Sequence, residues 1–138
     1  MEYRWIEKYS VGIKEIDKQH QHYFEIVNKI IKMTGQSSIS AEEITLKIKE
    51  LNDYAIYHFT TEEKLFKEYD YNEAIEHNAQ HRIYEDKMDE FINQISQENA
   101  DNKKVATKIA SFAGSWLLNH IMNMDQKYSG FMRKHGVK

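Results

Sequence analysis

Apolar positions between residues 44 and 65 recur at alternating steps of four and three: Ile44, Ile48, Leu51, Ala55, then His58, Glu62 and Leu65. The same stepping runs through His77, His81, Tyr84, Met88, Phe91 and Ile95. An earlier stretch gives Ile16, His20, Tyr23, Val27 and Ile30, and a later one Val105, Ile109, Phe112, Trp116 and His120. This period belongs to helices that bury one stripe against neighbours. It predicts helices at about 13–33, 41–68, 73–97 and 103–133, with breaks at 34–40, near 70–72 and at 98–102. Ser40, with Glu43 three residues on, reads as a capping box for the second helix. Asp101 or Asn102 caps the fourth. Short connections pack consecutive helices antiparallel. The expected fold is therefore all-α, an antiparallel up-down-up-down four-helix bundle forming a single domain over residues 1–138. Residues 1–12 form an N-terminal arm, 13–133 the bundle and 134–138 a frayed tail. Trp5, Ile6, Tyr9 and Val11 make the arm apolar enough to pack on the body, and Gly12 breaks it from the first helix.

The stripes are not purely apolar. His58 and Glu62 form one i, i+4 pair, and His77 and His81 another, so each pair shares a helix face. All four occupy positions that would otherwise hold Leu or Ile. Burying Glu62 unpaired costs several kcal/mol or forces it neutral, and a cation among these groups removes that cost. His20 and His120 lie in the other two stripes. After His120 the phase slips, and the next inward set is Asp125, Tyr128 and Met132. A step of five places two side chains about 140° apart on a regular α-helix. A π-type bulge over 120–125 is therefore expected, a feature common at functional sites. Counting outward from each turn puts His20, His58, Glu62, His77, His81, His120 and Asp125 at one height to within about two helical turns. His22 and His135 fall off the stripes and face solvent, as does Glu63, turned about 100° from Glu62.

Seven donors exceed one tetrahedral zinc site. Imidazole and carboxylate without sulfur suit iron, manganese or zinc. Two metal ions sharing two carboxylates fit the count, and five imidazoles divided three and two leave one ion with an open position. The rest of the composition narrows the chemistry. The chain of 138 residues has no Cys, which excludes a disulfide, a thiol nucleophile or a thiolate metal site. It has no Pro and only 5 Gly, which suits long helices. A net charge of −3 with dispersed Lys and Arg argues against nucleic acid. No apolar run approaches the roughly 20 residues of a membrane span. The first residues lack the apolar core of a signal peptide, so the expected location is cytoplasmic.

These residues resemble the hemerythrins, and more closely the single-domain bacteriohemerythrins. The likeness rests on Trp5, Val11-Gly12, Ile16-Asp17-Lys-Gln-His20, His58-Phe59-Thr-Thr-Glu62-Glu63, His77-Asn-Ala-Gln-His81 and Trp116-Leu-Leu-Asn-His120, with Asp125 and Tyr128. It implies two iron ions in an oxo- or hydroxo-bridged non-haem centre. His77, His81 and His120 would ligate the saturated iron, His20 and His58 the five-coordinate one, and Glu62 and Asp125 would bridge them. The implied function is reversible dioxygen binding for carriage, storage or delivery, with the gas held as hydroperoxide at the open iron. Phe59, Trp116 and Tyr23 would line a dry pocket there, with Tyr128 within a turn of the ligands. Two positions depart from the family's habit. Tyr23 stands where Leu is common, and Asn123 where an apolar residue near the pocket is usual, so that Asn123 would admit water and speed autoxidation.

The alternative readings are a di-iron oxidase or peroxidase and an oxygen or redox sensor. The ferritin-like enzymes use Glu-x-x-His pairs, and no His here has Glu three residues before it. A chain of this length without an output domain argues against a sensor. The expectation is a binding protein rather than an enzyme, whose partners are dioxygen and an unidentified redox or oxygen-accepting protein.

Overall fold

The computed structural model describes residues 2–97 and 101–138. Four long helical rods follow one another: α1 Lys14–Thr34, α2 Ala41–Glu68, α3 Ala74–Ile95 and α4 Asn102–His120. The last continues through one π-helical turn, Ile121–Asp125, into α5 Gln126–Lys134. Helix α1 packs on α2 and α4, and α3 packs on the same two, closing a four-helix bundle. Among the described residues no helix is long and apolar enough to cross a membrane.

Local chemistry sets the ends. Ser40 Oγ accepts from Glu43 N–H at 3.0 Å, and the Asp101 carboxylate accepts from Lys104 N–H at 3.1 Å, each satisfying a free first-turn donor. Of the expected turn at 98–102, residues 98–100 lie outside the described residues. Helix α2 ends where Asp70 turns left-handed at φ 53°, a conformation Asp tolerates, and Tyr71 N–H reaches back to Phe66 O at 2.9 Å. The expected fraying of the tail is replaced by a helix stop of the same kind. Gly136, at φ 81°, lets Gly136 N–H and Val137 N–H bond Arg133 O and Met132 O, each at 3.0 Å. Val137 then packs on the apolar cluster beneath.

The arm is tied down by polar groups as much as by its aromatics. Asp17, in the first turn of α1, accepts from Ser10 Oγ at 2.5 Å and Val11 N–H at 2.9 Å, and Ser129 Oγ donates to Val11 O at 2.6 Å. Asn28 makes two 2.8 Å bonds to the Tyr3 backbone. Ile6, expected to pack, is instead 47% exposed, because the turn Glu7–Tyr9 rolls it outward.

The stripes expected for α1 and α3 are buried in full. In α2 the seam passes to Phe66 rather than Leu65, and in α4 to Ala113 and Leu117, leaving Phe112 and Trp116 only partly covered. An α-helix drifts about 20° per heptad from a strict four-three step, so over several turns the inward position moves by one residue. The buried side chains form a large cluster from Val27 and Ile48 to Leu117, and a smaller one of Val11, Ile13, Ile16, Phe66, Tyr71, Tyr128 and Met132. The polar layer lies between the two.

Candidate metal centre

Each rod delivers donors to that layer: His20 from α1, His58 and Glu62 from α2, His77 and His81 from α3, and His120 and Asp125 from either end of the π turn. All seven side chains are between 0 and 4% exposed. The π turn is what admits both His120 and Asp125. Its wider winding absorbs the step of five, so both point inward, whereas Asn123 between them is swung out and exposed.

The donors form two groups, each with one atom per residue within 4.8 Å of the others: Glu62, His77, His81 and His120, and His20, His58, Glu62 and Asp125. Glu62 belongs to both. Asp125 also faces both, with Oδ1 at 3.1 Å from His77 Nε2 and 3.2 Å from His120 Nε2, and Oδ2 at 3.1 Å from His20 Nε2.

Protons alone satisfy this arrangement poorly. Thr61 Oγ donates to Tyr57 O at 3.1 Å, so it accepts from Gln19 Nε2 at 3.2 Å. That turns Gln19 Oε1 toward His58 Nδ1 at 2.7 Å and puts the His58 proton there. His58 Nε2 is then a bare lone pair, 3.5 Å from Glu62 Oε1 and 3.1 Å from His20 Nε2. Burial holds the His58 imidazole down at about 3, against the pull of Glu62, so it stays neutral. His77 goes the other way. Burial opposes its protonation, but the carboxylates of Asp125 and Glu62 beside it prevail and raise it to about 9. Burial pushes the carboxyls of Glu62 and Asp125 up, yet the surrounding imidazoles outweigh it and hold both below the usual range. Glu62 Oε1 and both Asp125 oxygens find no hydrogen-bond donor in suitable geometry. Buried carboxylate oxygens and bare imidazole nitrogens aimed at common points are what divalent cations satisfy, and a sulfur-free set of this kind suits iron, manganese or zinc.

Aromatic rings wall the layer. Phe59 stacks on His81 with centroids 4.0 Å apart, Trp116 stacks on His120 at 4.5 Å, and Phe66 meets His77 edge-on at 4.7 Å. Tyr128 donates to Glu62 Oε2 at 2.5 Å. Tyr23 sits one turn from His20 within the apolar cluster. Its hydroxyl accepts from Tyr84 and donates to Ala113 O, both at 2.9 Å, so its polarity is satisfied away from the donors. Asn123 is exposed on the surface side of the layer. With Gln80, Trp116, Asn119, His120 and Met124 it lines an open surface hollow of about 310 Å³.

A model described as the hemerythrin HHE cation binding domain matches residues 11–131. The chain belongs to the hemerythrin family. A hemerythrin-like protein of Naegleria gruberi is 30% identical over 130 residues, covering 94% of this chain and 93% of its own. A bacteriohemerythrin of Clostridium acetobutylicum is 28% identical over 126 residues, covering 90% and 96%. A solved wild-type hemerythrin superposes with a TM-score of 0.76 at 23% identity, covering 93% of this chain and 95% of that one, and so speaks for the fold.

Two polar residues of this hemerythrin-family site escaped the stripe reading. Gln19, to which the stripe assigned no role, is buried against His58. Glu63, expected in solvent, places Oε2 2.9 Å from His81 Nδ1 with its side chain only 26% exposed. Each sits one residue from a stripe member, on a helix flank that the adjacent rod covers. The sequence signal was a hydrogen-bonding residue directly beside a donor.

Proposed function

We propose that this chain binds dioxygen reversibly at a pair of iron ions. His77, His81 and His120 would hold one ion, His20 and His58 the other, with Glu62 and Asp125 shared. The observation that supports this most is the pair of sealed four-donor groups with Glu62 in common and the two Asp125 oxygens divided between them. Two ferrous ions would supply the electrons that dioxygen takes up on binding and returns on release. The protein's part is to keep that exchange reversible. Phe59, Trp116 and Phe66 exclude water from the imidazoles they cover, which suppresses proton leakage and displacement. Tyr128 fixes one Glu62 oxygen, leaving Oε1 to face both groups. Gln19 and Glu63 each hold an Nδ1 proton and so keep Nε2 free toward the centre.

The reading is of a binder rather than an enzyme, in line with five imidazoles to two carboxylates in the layer. It places the protein in the cytoplasm, with a redox or oxygen-accepting protein as partner. The test is to load the protein with ferrous iron without air, count bound metal, and follow visible absorption through cycles of oxygen and argon. Two irons per chain with an absorption change that reverses over repeated cycles support the proposal. One-way oxidation coupled to continuous consumption of a reductant would replace it with an enzyme.

A further inference from the structure

The two sides of the centre are braced by acceptors of different charge. On one side, His58 Nδ1 donates to Gln19 Oε1, a neutral amide whose orientation is fixed by Thr61 and, through it, Tyr57 O. On the other, His81 Nδ1 donates to Glu63 Oε2, a carboxylate. That carboxylate also receives Arg82 Nη2 at 2.7 Å, and Arg82 Nε meets Glu85 at 3.0 Å. His20 Nδ1 and His77 Nδ1 are buried without a partner. Of these four imidazoles, His81 is the one whose Nδ1 meets a carboxylate, and Arg82 shares that carboxylate.

We propose that Glu63, metered by Arg82, is the positioning residue that makes the three-imidazole position the more electron-rich of the two, so that it favours the higher oxidation state. An imidazole that donates to a carboxylate is a stronger base at its other nitrogen than one that donates to an amide, and it binds a metal ion more tightly. The charge on Glu63 sits on the Nδ1 side of His81, and the donor atom Nε2 lies across the ring, 3.1 Å from Glu62 Oε1. Arg82 works against it. Its guanidinium shares the same Oε2 that His81 uses, drawing charge away from the imidazole. Arg82 is itself 53% exposed, so this setting is reached from the protein surface although His81 is sealed. The inference rests on the metal-binding reading above, but not on dioxygen.

Three variants separate charge from packing. Glu63→Gln keeps a hydrogen-bond acceptor and removes the charge. Arg82→Gln leaves the charge undivided on His81. Gln19→Glu brings a charge to the other side. Each is measured for cobalt(II) affinity, for the midpoint potential of the iron-loaded form by spectroelectrochemical titration, and for thermal unfolding. Glu63→Gln is expected to weaken cobalt binding at one of two positions by about 10–100-fold. It should raise the potential of the iron-loaded form, by about 59 mV for each tenfold change in a one-electron step. Arg82→Gln should shift the potential the opposite way, and Gln19→Glu should lower it too. A purely structural latch would move all three variants together, with reduced melting temperature and no change of sign, and that result overturns the inference. So does an unchanged potential and affinity in Glu63→Gln. Cobalt data that follow the expected pattern in a protein showing no reversible response to oxygen would leave this inference standing and sink the dioxygen reading.

Discussion

Replacing Tyr128 with Phe removes one hydroxyl and nothing else, and the structure fixes what that hydroxyl does. It donates at 2.5 Å to Glu62 Oε2, and both residues are fully buried. A hydrogen bond to an ionised partner contributes roughly 1.5–3 kcal/mol, and the lone carboxylate oxygen left behind recovers nothing, since water cannot reach it. A loss of about 2–3 kcal/mol is therefore expected in the metal-free protein, close to a hundredfold in the folding constant. The natural control is Tyr84→Phe. Its hydroxyl donates to Tyr23 at 2.9 Å in a neutral pair, for which about 0.5–1.5 kcal/mol is expected. Urea unfolding followed by circular dichroism measures both, and the double variant with Glu62→Gln gives the coupling directly. Metal-loaded Tyr128→Phe should lose less, because cations at Oε1 draw off part of the charge the phenol had stabilised. A loss below about 0.5 kcal/mol in metal-free Tyr128→Phe, or one equal to that of Tyr84→Phe, refutes the claim that Glu62 is held as a buried anion.

Further expectations follow from other parts of the molecule. A methyl group added at Gly114 would overlap the outer edge of the Tyr3 ring, so Gly114→Ala must displace that ring from α4, at about 1–3 kcal/mol, with faster proteolysis before residue 10 as the readout. The metal-free protein should be most stable near pH 6.5. His58 is held at about 3 in the fold, so its contribution is complete above 6.5 and is lost as pH falls from there toward 3. His77 is raised to about 9, so its contribution is complete below 6.5 and is lost as pH rises toward 9. Urea midpoints at pH 5, 6.5 and 8.5 test this, and added metal should abolish the alkaline loss by taking the proton's place. Phe59→Ala strips the ring stacked on His81 and should cost about 3–5 kcal/mol and speed autoxidation of the iron form several-fold. Asn123→Leu, in the hollow beside Trp116 and His120, should slow autoxidation of the iron form, and an unchanged rate would count against water entering there.

Why was so much of the layer readable from spacing? The stripe of a helix is a one-dimensional code, and a His at an apolar position has one place to go. His20, His58, His77, His81 and His120 all kept that register, and Glu62 lay one turn from His58 on the same face. The π turn was legible for the same reason in reverse. Asp125 and Tyr128 could share the interior with His120 only if the winding changed between them, and it does, over Ile121–Asp125. What the stripe could not resolve was drift. Phe112 and Trp116 sit one position off the true seam, and Trp116 is consequently a half-covered ring capping His120 rather than a core filler.

Imidazole has a second nitrogen, and there the code gives out. The face that a stripe predicts is the one bearing Nε2, pointed at the bundle axis. Nδ1 looks sideways, into the crevice between two rods, and whatever meets it comes from the flank of a neighbouring helix. Gln19 reaches His58 across the α1–α2 crevice, and Glu63 reaches His81 across the α2–α3 crevice, at sequence separations of 39 and 18 residues. No periodicity along one chain segment encodes such a pairing, because it depends on the rotation of one rod against another. Yet these are the contacts that fix which nitrogen carries the proton, and with it whether the inward atom is a lone pair able to hold a cation or an N–H that would repel one. The inward donors thus define where cations can sit, and the crevice partners decide whether the imidazoles are ready to receive them. Exchanging the two crevice partners in one protein, Gln19→Glu with Glu63→Gln, keeps both hydrogen bonds and the total charge while moving that charge from His81 to His58. Fold stability should change little, whereas cobalt(II) should reverse the order in which it fills the two positions. An unchanged order of filling would mean that the inward donors alone govern the centre.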